Sequence, residues 1–382
     1  MKRTATRRRA TATKLPRSRV RARRGGVPVK RPGAKSDATS FVVQGPGAMG
    51  LLLAARMKRA GCRVTLLDYR SARAERLRRG ITLAGVPGGA RPGKVRLDVQ
   101  LTERNRQPRT LADCLIVCVK AHQLERAVAA GRQHLRADGL LVAVANGVQH
   151  LVTLPRLWTE SQCAVGVVTY GAELVETGVV RAAVGPGKIR LGLLRPEQGG
   201  RAAKLLTALA GAFRSAGFKV ELGGEVQRAV WEKAAVNCGL NPVAALLGVE
   251  NGALLSLPSA LEVAAAAAAE VAKIAAQLCA AQRPDAVHRY GEWAAQDWRQ
   301  RIAQVCRASR TNRCSMLVDL AADRRTEIDA LCGRAVELGD ALGIAVDVNR
   351  SLAGLVTACS RKAASSRKSV RGSAAKRKAA AV

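Results

Sequence analysis

The chain has 382 residues, of which 64 are Lys or Arg and 28 are Asp or Glu, so its formal net charge is +36. No uninterrupted apolar stretch reaches the ~18–20 residues that a membrane helix needs, and no hydrophobic signal-peptide core follows the N-terminal charges. The ten cysteines form no C-x-x-C pair and only four histidines are present, which argues against a metal site. These features predict a cytoplasmic protein with reduced, buried thiols and no membrane partner.

The positive charge is concentrated at the two ends of the chain. Residues 1–38 contain 14 Lys or Arg and one acid, and residues 360–382 contain eight Lys or Arg and no acid. Both segments are rich in small and polar residues and cannot bury enough apolar surface to fold alone, so we predict two disordered basic tails. The residues between them are sufficient for two domains.

A strand, a G-x-G-x-x-G turn, a helix and a second strand follow one another from residue 40. The predicted strand 41–44 precedes the turn 45–50, the helix covers 51–60 and the second strand covers 63–68. The glycines allow a tight turn, backbone approach to a pyrophosphate and close helix–strand packing, while the helix N-terminus offers free N–H groups. The pattern predicts a dinucleotide site whose cofactor-binding residues are Gly45, Gly47, Ala48, Met49 and Gly50.

The end of the second strand leaves the choice of cofactor open. An acid there usually accepts hydrogen bonds from the ribose hydroxyls of NAD, whereas a nearby Arg accommodates the 2′-phosphate of NADP. This chain has Asp68 together with Arg70, and Arg73 follows one helical turn later. Both NADP and NAD are therefore consistent with the sequence.

Two further apolar runs predict strands of the same sheet. Residues 114–119 lead into Lys120 and Gln123, and residues 140–145 lead into Asn146. Ligands of open α/β sheets bind beyond the carboxyl ends of the strands. We therefore expect these three polar side chains near the ligand crevice, although Lys120 alone could be a solvated charge and Asn146 alone a turn residue.

The second half contains a polar row on an apolar helix. Lys233, Asn237 and Asn241 are spaced i, i+4, i+8 and fall on one helix face. Burying such groups without partners costs about 1–3 kcal/mol for each, so the row predicts a ligand, water or a facing polar group. Pro242 disfavours the helical conformation at Asn241, so we expect the helix to end or kink there.

A second polar cluster follows near the end of the chain. Ser315 and Asp319 fall on one helix face. Thr326 could cap a helix that begins with Glu327, because such caps favour an acid in the first turn. That cap is a purely structural alternative to a functional role for Glu327.

Taken together, these segments resemble the ketopantoate reductase (2-dehydropantoate 2-reductase) family, over roughly residues 40–349. The matching segments are Gly45-Pro46-Gly47-Ala48-Met49-Gly50, Lys120-Ala121-His122-Gln123, Asn146-Gly147, Trp231-Glu232-Lys233 with Asn237 and Asn241-Pro242, and Ser315-Met316 with Asp319, Arg325-Thr326-Glu327-Ile328-Asp329 and Gly333. They occur in the order of the family. The Lys/Asn/Asn helix and the Thr-Glu-Ile-Asp block are more specific than the glycine turn, which many dehydrogenases share.

The resemblance implies an α/β N-terminal Rossmann-type domain followed by an all-α C-terminal domain like that of 6-phosphogluconate dehydrogenase. We place these domains at 39–224 and 225–359, with a cleft between them. The resemblance also implies NADPH-dependent reduction of ketopantoate to pantoate, a step of pantothenate and coenzyme A biosynthesis. This reaction requires no metal. By matched position, the implied catalytic residues are Lys233 as general acid and Glu327, which would bind the hydroxyl end of the substrate.

The remaining implied roles concern binding. Asn237, Asn241 and Ser315 would hold the substrate, Lys120 and Gln123 would line the cofactor site, and Asn146 and Glu327 would contact both ligands. The chemistry is consistent with these residue types, because hydride delivered to a ketone carbon leaves negative charge on oxygen and requires a proton donor. Desolvation of a lysine in a cleft lowers its pKa from ~10.4 and favours donation near neutral pH.

Other interpretations stay open at this point. A related reductase of another 2-oxo acid would carry the same motifs. The tails could instead mark a nucleic-acid-associated protein, whose contacts would be non-specific because the tails contain no aromatic residues for base stacking. The N-terminal segment could also be a targeting peptide or the product of a misassigned start codon. The sequence is consistent with a monomer or a homodimer.

Overall fold

The computed structural model describes residues 39–85, 92–102, 111–182, 187–196, 200–223, 225–282 and 287–360. The N-terminal basic tail lies outside these residues, and so does the C-terminal tail apart from Ser360. The predictions of disorder and of nucleic-acid contacts therefore concern residues that the structure does not describe. Ser360, which we assigned to the second tail, ends a helix.

The first half of the chain alternates strands and helices. Its strands are β1 (Ser40–Gln44), β2 (Arg63–Asp68), β3 (Ile81–Ala84), β4 (Gly93–Val95), β5 (Asp98–Leu101), β6 (Ala112–Val117), β7 (Leu135–Ala143), β8 (Cys163–Val168), β9 (Ala172–Glu176), β10 (Val179–Ala182), β11 (Ile189–Leu193) and β12 (Val220–Leu222). Its helices are α1 (Ala48–Arg59), α2 (Ser71–Arg78), α3 (Leu124–Gly131), α4 (Gln149–Leu157) and α5 (Gly200–Ser215).

The larger sheet has eight strands in the order β12-β11-β8-β7-β6-β1-β2-β5. Strand β1 runs parallel between β2 and β6, with Phe41 opposite Val64 on one side and Cys114 on the other. Both faces are covered: Phe41 and Val43 pack with α1, α2 and α5, whereas Val42 packs with α3 and α4. Because both faces are buried, these strands are continuous apolar runs. The predicted Rossmann-type arrangement is confirmed.

A second, four-stranded sheet in the order β4-β3-β10-β9 was not predicted from the sequence. Strand β3 pairs in parallel with β10, about a hundred residues later in the chain. Because these strands are short, the alternation of apolar and polar residues in their sequences is weak. Their pairing depends on long-range contacts that no local pattern shows.

The second half of the described chain is helical, as the family resemblance implied. Its helices are α6 (Val226–Leu247), α7 (Pro258–Gln282), α8 (Val287–Ala294), α9 (Trp298–Ala308), α10 (Ser315–Ala321), a π-helical turn (Asp329–Gly333), α11 (Arg334–Leu342) and α12 (347–360). Helix α6 is buried along most of its length and packs against α7, α9 and α10. It therefore forms the centre of the helical domain.

Helix α6 continues through Pro242 to Leu247 instead of ending at Asn241. Proline has no backbone N–H, so the carbonyl of Cys238 loses its usual helical donor. The thiol of Cys332, in the π-helical turn, donates to that carbonyl at 3.5 Å between Sγ and O. A side chain from another helix thus satisfies the group that Pro242 leaves unpaired, and the helix persists.

The last helix, α12, is held at its N-terminus by a carboxylate from α7. Glu270 accepts hydrogen bonds from the backbone N–H groups of Val348 and Asn349, each at 3.0 Å. The side-chain amide of Asn349, which is fully buried, donates to the same carboxylate at 2.7 Å and to the carbonyl of Ala267 at 2.9 Å. One carboxylate therefore satisfies three donors at a helix end.

Replacing Glu270 with Ala should destabilise the protein by roughly 3 kcal/mol, because it leaves several partly buried donors unpaired. Thermal or urea unfolding would measure the loss. Glu262→Ala on the same helix removes an exposed ion pair with Arg299 and should cost at most about 1 kcal/mol. Equal losses for the two variants would contradict the capping role of Glu270.

All ten cysteines are free, and all except Cys62 and Cys359 are buried. Burial raises the pKa of the Cys114, Cys118 and Cys163 thiols. In the part of the chain that the structure describes, no helix is long and apolar enough to cross a membrane.

Candidate active site

A cleft of ≈ 2460 Å³ opens beyond the carboxyl ends of β1, β6 and β7 and extends to α6, α9 and α10. Most of the predicted site residues line it: Gly45, Gly47, Ala48, Met49, Arg70, Lys120, Gln123, Asn146, Lys233, Asn237, Asn241, Ser315 and Glu327. Gly50 and Asp68 do not line the cleft, whereas their chain neighbours Met49 and Tyr69 do. The structure thus brings together residues from both halves of the chain.

The glycine turn has the geometry that a pyrophosphate requires. Gly45 has φ +100°, a conformation that favours glycine. A Cβ on Gly50 would lie 2.0 Å from the carbonyl oxygen of Gly45, whereas a Cβ on Gly47 would meet no atom within 4 Å. No side chain caps helix α1, and its first turn contains no acid. Its free N–H groups and the positive end of its dipole therefore fit a dinucleotide phosphate.

Asp68 is almost completely buried and is paired within the protein. Its carboxylate accepts two hydrogen bonds from the guanidinium of Arg73, at 2.6 and 2.5 Å, and one from the backbone N–H of Arg70 at 3.0 Å. These hydrogen bonds raise the pKa of Arg73. The carboxylate is therefore already occupied by protein donors and does not line the cleft.

The exposed ring of Tyr69 is surrounded by three guanidinium groups. The Cζ atoms of Arg70, Arg73 and Arg126 lie 5.2, 5.4 and 5.7 Å from the ring centroid. Arg126 comes from α3, and sequence reasoning missed it because its proximity to β2 depends on the fold. The cluster offers a flat aromatic face and positive charge at the end of the cleft beyond β2.

Lys120 reaches from the Rossmann half to the helical half. Its ammonium donates to the carboxylate of Asp319 at 2.7 Å and to the carbonyl of Arg325 at 2.6 Å. Asp319, which is buried, also pairs with Arg324 at 3.0 Å. The side chain is thus an interdomain contact at the edge of the cleft, while Gln123 is exposed along the same edge.

Glu327 also joins the two halves. Its carboxylate accepts from the backbone N–H of Ala121 at 3.1 Å and from the side-chain amide of Asn146 at 2.9 Å. The helical turn after it begins at Asp329, not at Glu327, and Thr326 Oγ1 only accepts from Ile328 N at 3.5 Å. Glu327 therefore lies just before the helical turn, where its backbone carbonyl accepts from Ala330 N and Leu331 N, each at 3.0 Å, and its side chain meets two strand ends.

Lys233 and Asn237 lie half-buried in the wall of the cleft, and Asn241 is buried at its base. Burial lowers the pKa of Lys233 to about 8, and the negative charge of Glu327 acts in the opposite direction. His150 on α4 is buried and, among the described residues, neither ring nitrogen has a hydrogen-bond partner. Burial and the charge of Lys233 lower the pKa of His150 to about 4, so it stays neutral.

Ser315 is exposed to the cleft at the first residue of α10, next to a cysteine that joins two helices. The Cys314 thiol accepts from the backbone N–H of Leu317 and donates to the carbonyl of Asn241, each at 3.4 Å. Through this contact, the start of α10 is held against α6. Ser315 and Asn241 thereby line the same end of the cleft.

Asn251 is a cleft residue that sequence reasoning missed. Its side-chain amide donates to Ser309 Oγ at 2.9 Å and its backbone N–H to the carbonyl of Asn312 at 2.9 Å. Within the described residues its Oδ1 is buried without a donor. The sequence signal was an Asn-Gly pair after a helix, which is also the signal of an ordinary turn.

The arrangement can protonate an oxygen on which negative charge develops. Burial lowers the pKa of the Lys233 ammonium to about 8, so it can donate a proton, and the carboxamides around it can orient a carbonyl. The phosphate-binding turn lies across the same cleft. The volume of the cleft leaves room for a dinucleotide and a small carbonyl compound between the two halves.

Comparison with known proteins identifies the family. The family model for ketopantoate reductase PanE/ApbA matches residues 41–196, and the model for its C-terminal domain matches residues 225–360. The chain is 33% identical to a 2-dehydropantoate 2-reductase of Halobacterium salinarum, over 82% of this chain and 97% of the relative. It is 32% identical to one from Archaeoglobus fulgidus, over 82% and 95%.

Solved structures show the same fold. A PanE/ApbA family ketopantoate reductase from Ralstonia eutropha JMP134 superimposes with a TM-score of 0.69 at 26% identity, covering 85% of this chain and 99% of that one. D-mandelate dehydrogenase in complex with NADH and anilino(oxo)acetate gives a TM-score of 0.72 at 22% identity, with the same coverage. From the two matched models and the shared sequence, the chain belongs to the ketopantoate reductase PanE/ApbA family.

Proposed function

We propose that this protein reduces 2-dehydropantoate (ketopantoate) to pantoate, a step of pantothenate and coenzyme A biosynthesis. The observation that carries the proposal is the position of Lys233, in a cleft that also contains a dinucleotide-type glycine turn. The bound nicotinamide supplies the hydride. The residues of the chain bind the oxo acid, orient its carbonyl and provide the proton.

Lys233 is the general acid of the proposed reaction. Its ammonium donates a proton to the C2 oxygen as negative charge develops there, so that a neutral alcohol leaves. Burial supports this role because a pKa of about 8 makes donation easier than from an exposed lysine. The negative charge of Glu327 raises the pKa of Lys233 and so favours its protonated form.

The carboxamides and hydroxyl around Lys233 bind the substrate. Asn237 and Asn241 extend from Lys233 along one face of α6, and Ser315 lies at the start of α10. Asn146 is held by Glu327 at the carboxyl end of β7, where it can contact both ligands. Donors of this kind suit an oxo acid, whose carboxylate and carbonyl oxygens accept hydrogen bonds.

NADP is the cofactor that we propose. Asp68 is paired with Arg73, which leaves it poorly placed to accept from the ribose hydroxyls of NAD. Arg70 and Arg126 add positive charge beside Tyr69. A 2′-phosphate matches this charge, and guanidinium groups bind phosphate through directed hydrogen bonds.

Replacing Arg126 with Ala should raise the KM for NADPH on the order of tenfold, because one charge-assisted hydrogen bond to the cofactor is lost. The KM for NADH should change little, because NADH has no 2′-phosphate. Arg132→Ala, which replaces an exposed arginine at the end of α3 that does not line the cleft, is the matched control. Equal effects on the two cofactors would contradict a phosphate role for Arg126.

The direct test is a steady-state assay of the purified chain with ketopantoate and either NADPH or NADH. We expect the protein to turn over ketopantoate. At equal low cofactor concentrations, the rate with NADPH should be higher than the rate with NADH. A panel of other branched 2-oxo acids distinguishes this activity from that of a related reductase. Turnover of another oxo acid with a much higher kcat/KM than ketopantoate would overturn the proposed substrate.

A further inference from the structure

A second hollow, of ≈ 460 Å³, lies away from the cleft on the Rossmann half. It is lined by Glu75, Arg78, Arg79 and Arg96. Helix α2 ends at Arg78, and Arg96 lies two residues before β5, which runs parallel to β2. The hollow is therefore at the amino ends of the parallel strands, whereas the cleft opens beyond their carboxyl ends.

Two further cations extend the hollow along the same edge of the domain. Arg76 lies one helical turn before Arg79, on the same face of α2. The side chain of Lys94 lies over Gly80, since a Cβ on that glycine would be 2.6 Å from Lys94 Cε. We call this set of five exposed cations the basic edge: Arg76, Arg78, Arg79, Lys94 and Arg96.

The charge of the basic edge is not neutralised within the fold. In the described ranges, no carboxylate pairs with Arg76, Lys94 or Arg96. Arg79 pairs with Glu75, but only at 3.7 Å and with both side chains exposed, so water and salt screen the contact. The basic edge therefore keeps a surplus of positive charge.

Helix stabilisation accounts for only part of this cluster. Cations in the last turn of a helix stabilise its negative end, and Arg76 and Arg78 have that position in α2. Lys94 lies in β4 and Arg96 directly follows that strand, so neither serves a helix end. An exposed arginine of the helical domain such as Arg299 pairs with a carboxylate instead. The basic edge thus suits an anionic partner.

The chemistry of the basic edge indicates which anion fits. Its cations extend from the last turn of α2 to β4 and do not all line the hollow, which suits a row of phosphates better than a single ion. Guanidinium groups bind phosphate through directed hydrogen bonds. Among the described residues, no large apolar or aromatic side chain is exposed there. Insertion into a lipid surface and stacking on unpaired bases both need such side chains.

We propose that the basic edge binds the phosphate backbone of duplex nucleic acid, without reading its sequence. The inference is independent of the proposed function, because the basic edge shares no residue with the cleft. Contacts of this kind release counterions and weaken steeply with salt. Because the cleft opens at the other edge of the sheet, the protein binds nucleic acid and cofactor at the same time.

The test is fluorescence anisotropy of a labelled DNA duplex of about 20 base pairs, titrated with the full chain between about 50 and 200 mM salt. One variant combines Arg76→Gln, Arg79→Gln and Arg96→Gln. Each lost phosphate contact should flatten the slope of log Kd against log salt by about 0.9, so this variant should lose about 2 to 3 of the slope. Its Kd at about 100 mM salt should rise on the order of tenfold or more.

A second variant with the same net charge is the matched control. It combines Arg299→Gln, Arg307→Gln and Arg350→Gln, three exposed arginines of the helical domain that line neither the cleft nor the hollow. This variant should keep the wild-type slope. The two terminal segments are identical in all three proteins, so their contribution to binding cancels in the comparison. Equal flattening in both variants, or none in the variant of the basic edge, would overturn the inference.

Two further measurements test the location and the class of the partner. A saturating concentration of duplex should leave the dissociation constant for NADPH unchanged, and competition between the two would place the nucleic acid in the cleft and contradict the inference. Vesicles of phosphatidylcholine and phosphatidylserine should not distinguish the wild type from the variant of the basic edge. If that variant lost binding to vesicles but kept binding to the duplex, the partner would be a lipid surface and the proposal would be wrong.

Discussion

Replacing Lys233 with Ala should lower kcat for ketopantoate reduction by about 10²- to 10⁴-fold, the usual contribution of a positioned proton donor. The loss should fall on kcat and kcat/KM together, because the donor acts where charge develops in the transition state. Binding of NADPH, followed by its fluorescence, should change little. Stopped-flow measurement of a single turnover would show that the chemical step is the one affected.

Lys273→Ala is a suitable control for this variant, because Lys273 is an exposed lysine of the same domain, on α7. It should keep wild-type kinetics. If Lys233→Ala turned over ketopantoate as fast as Lys273→Ala does, Lys233 would not be the general acid.

The pH profile gives an independent view of the same group. The pKa of Lys233 is lowered to about 8, so the ammonium form that donates the proton predominates below that pH. The rate of reduction should be level below about pH 8 and decline above it, while the oxidation of pantoate, which needs the neutral amine, should rise. Glu327→Gln removes a charge that raises this pKa and should move the break to lower pH.

Replacing Gly50 with Ala should have a large effect on both stability and cofactor binding. The new Cβ would lie 2.0 Å from the carbonyl oxygen of Gly45, a backbone atom of the phosphate-binding turn. The turn must move to relieve this overlap, and overpacking of this kind typically costs about 1–3 kcal/mol. We expect a lower unfolding temperature and a dissociation constant for NADPH that rises at least tenfold.

Two other glycines provide the comparison for Gly50. A Cβ on Gly211 in α5 would meet no atom within 4 Å, so Gly211→Ala should keep or slightly raise stability. A Cβ on Gly47 would also meet no atom within 4 Å, but Gly47 lines the cleft. Gly47→Ala should therefore keep the stability of the protein and weaken its binding of NADPH. A Gly50→Ala protein with wild-type melting and binding would contradict the packing argument.

Local patterns were sufficient to predict many of the residues that line the cleft. The glycine spacing predicted the turn at Gly45, and a spacing of four residues predicted that Lys233, Asn237 and Asn241 share a helix face. Strand-end residues such as Asn146 followed from the general geometry of α/β sheets. In each case, the information lies within one or two neighbouring elements.

What the sequence could not predict depends on residues far apart in the chain. Nothing local indicates that Arg126 approaches Tyr69, or that Lys120 pairs with Asp319. The presence of Asp68 favoured neither cofactor, because its burial and its pairing with Arg73 only become visible in the folded protein. The small sheet of β3, β4, β9 and β10 was missed for the same reason.

The continuation of α6 through its proline has a consequence for how this sequence can diverge. For this hydrogen bond, Pro242 and Cys332 form an epistatic pair, since the Cys238 carbonyl needs the thiol only while the proline leaves it without a helical donor. An ancestor that lost Pro242 first could then lose the thiol at little cost. An ancestor that lost the Cys332 thiol first would have an unpaired carbonyl at Cys238. That carbonyl is one residue from Asn237, in the helix that carries Lys233.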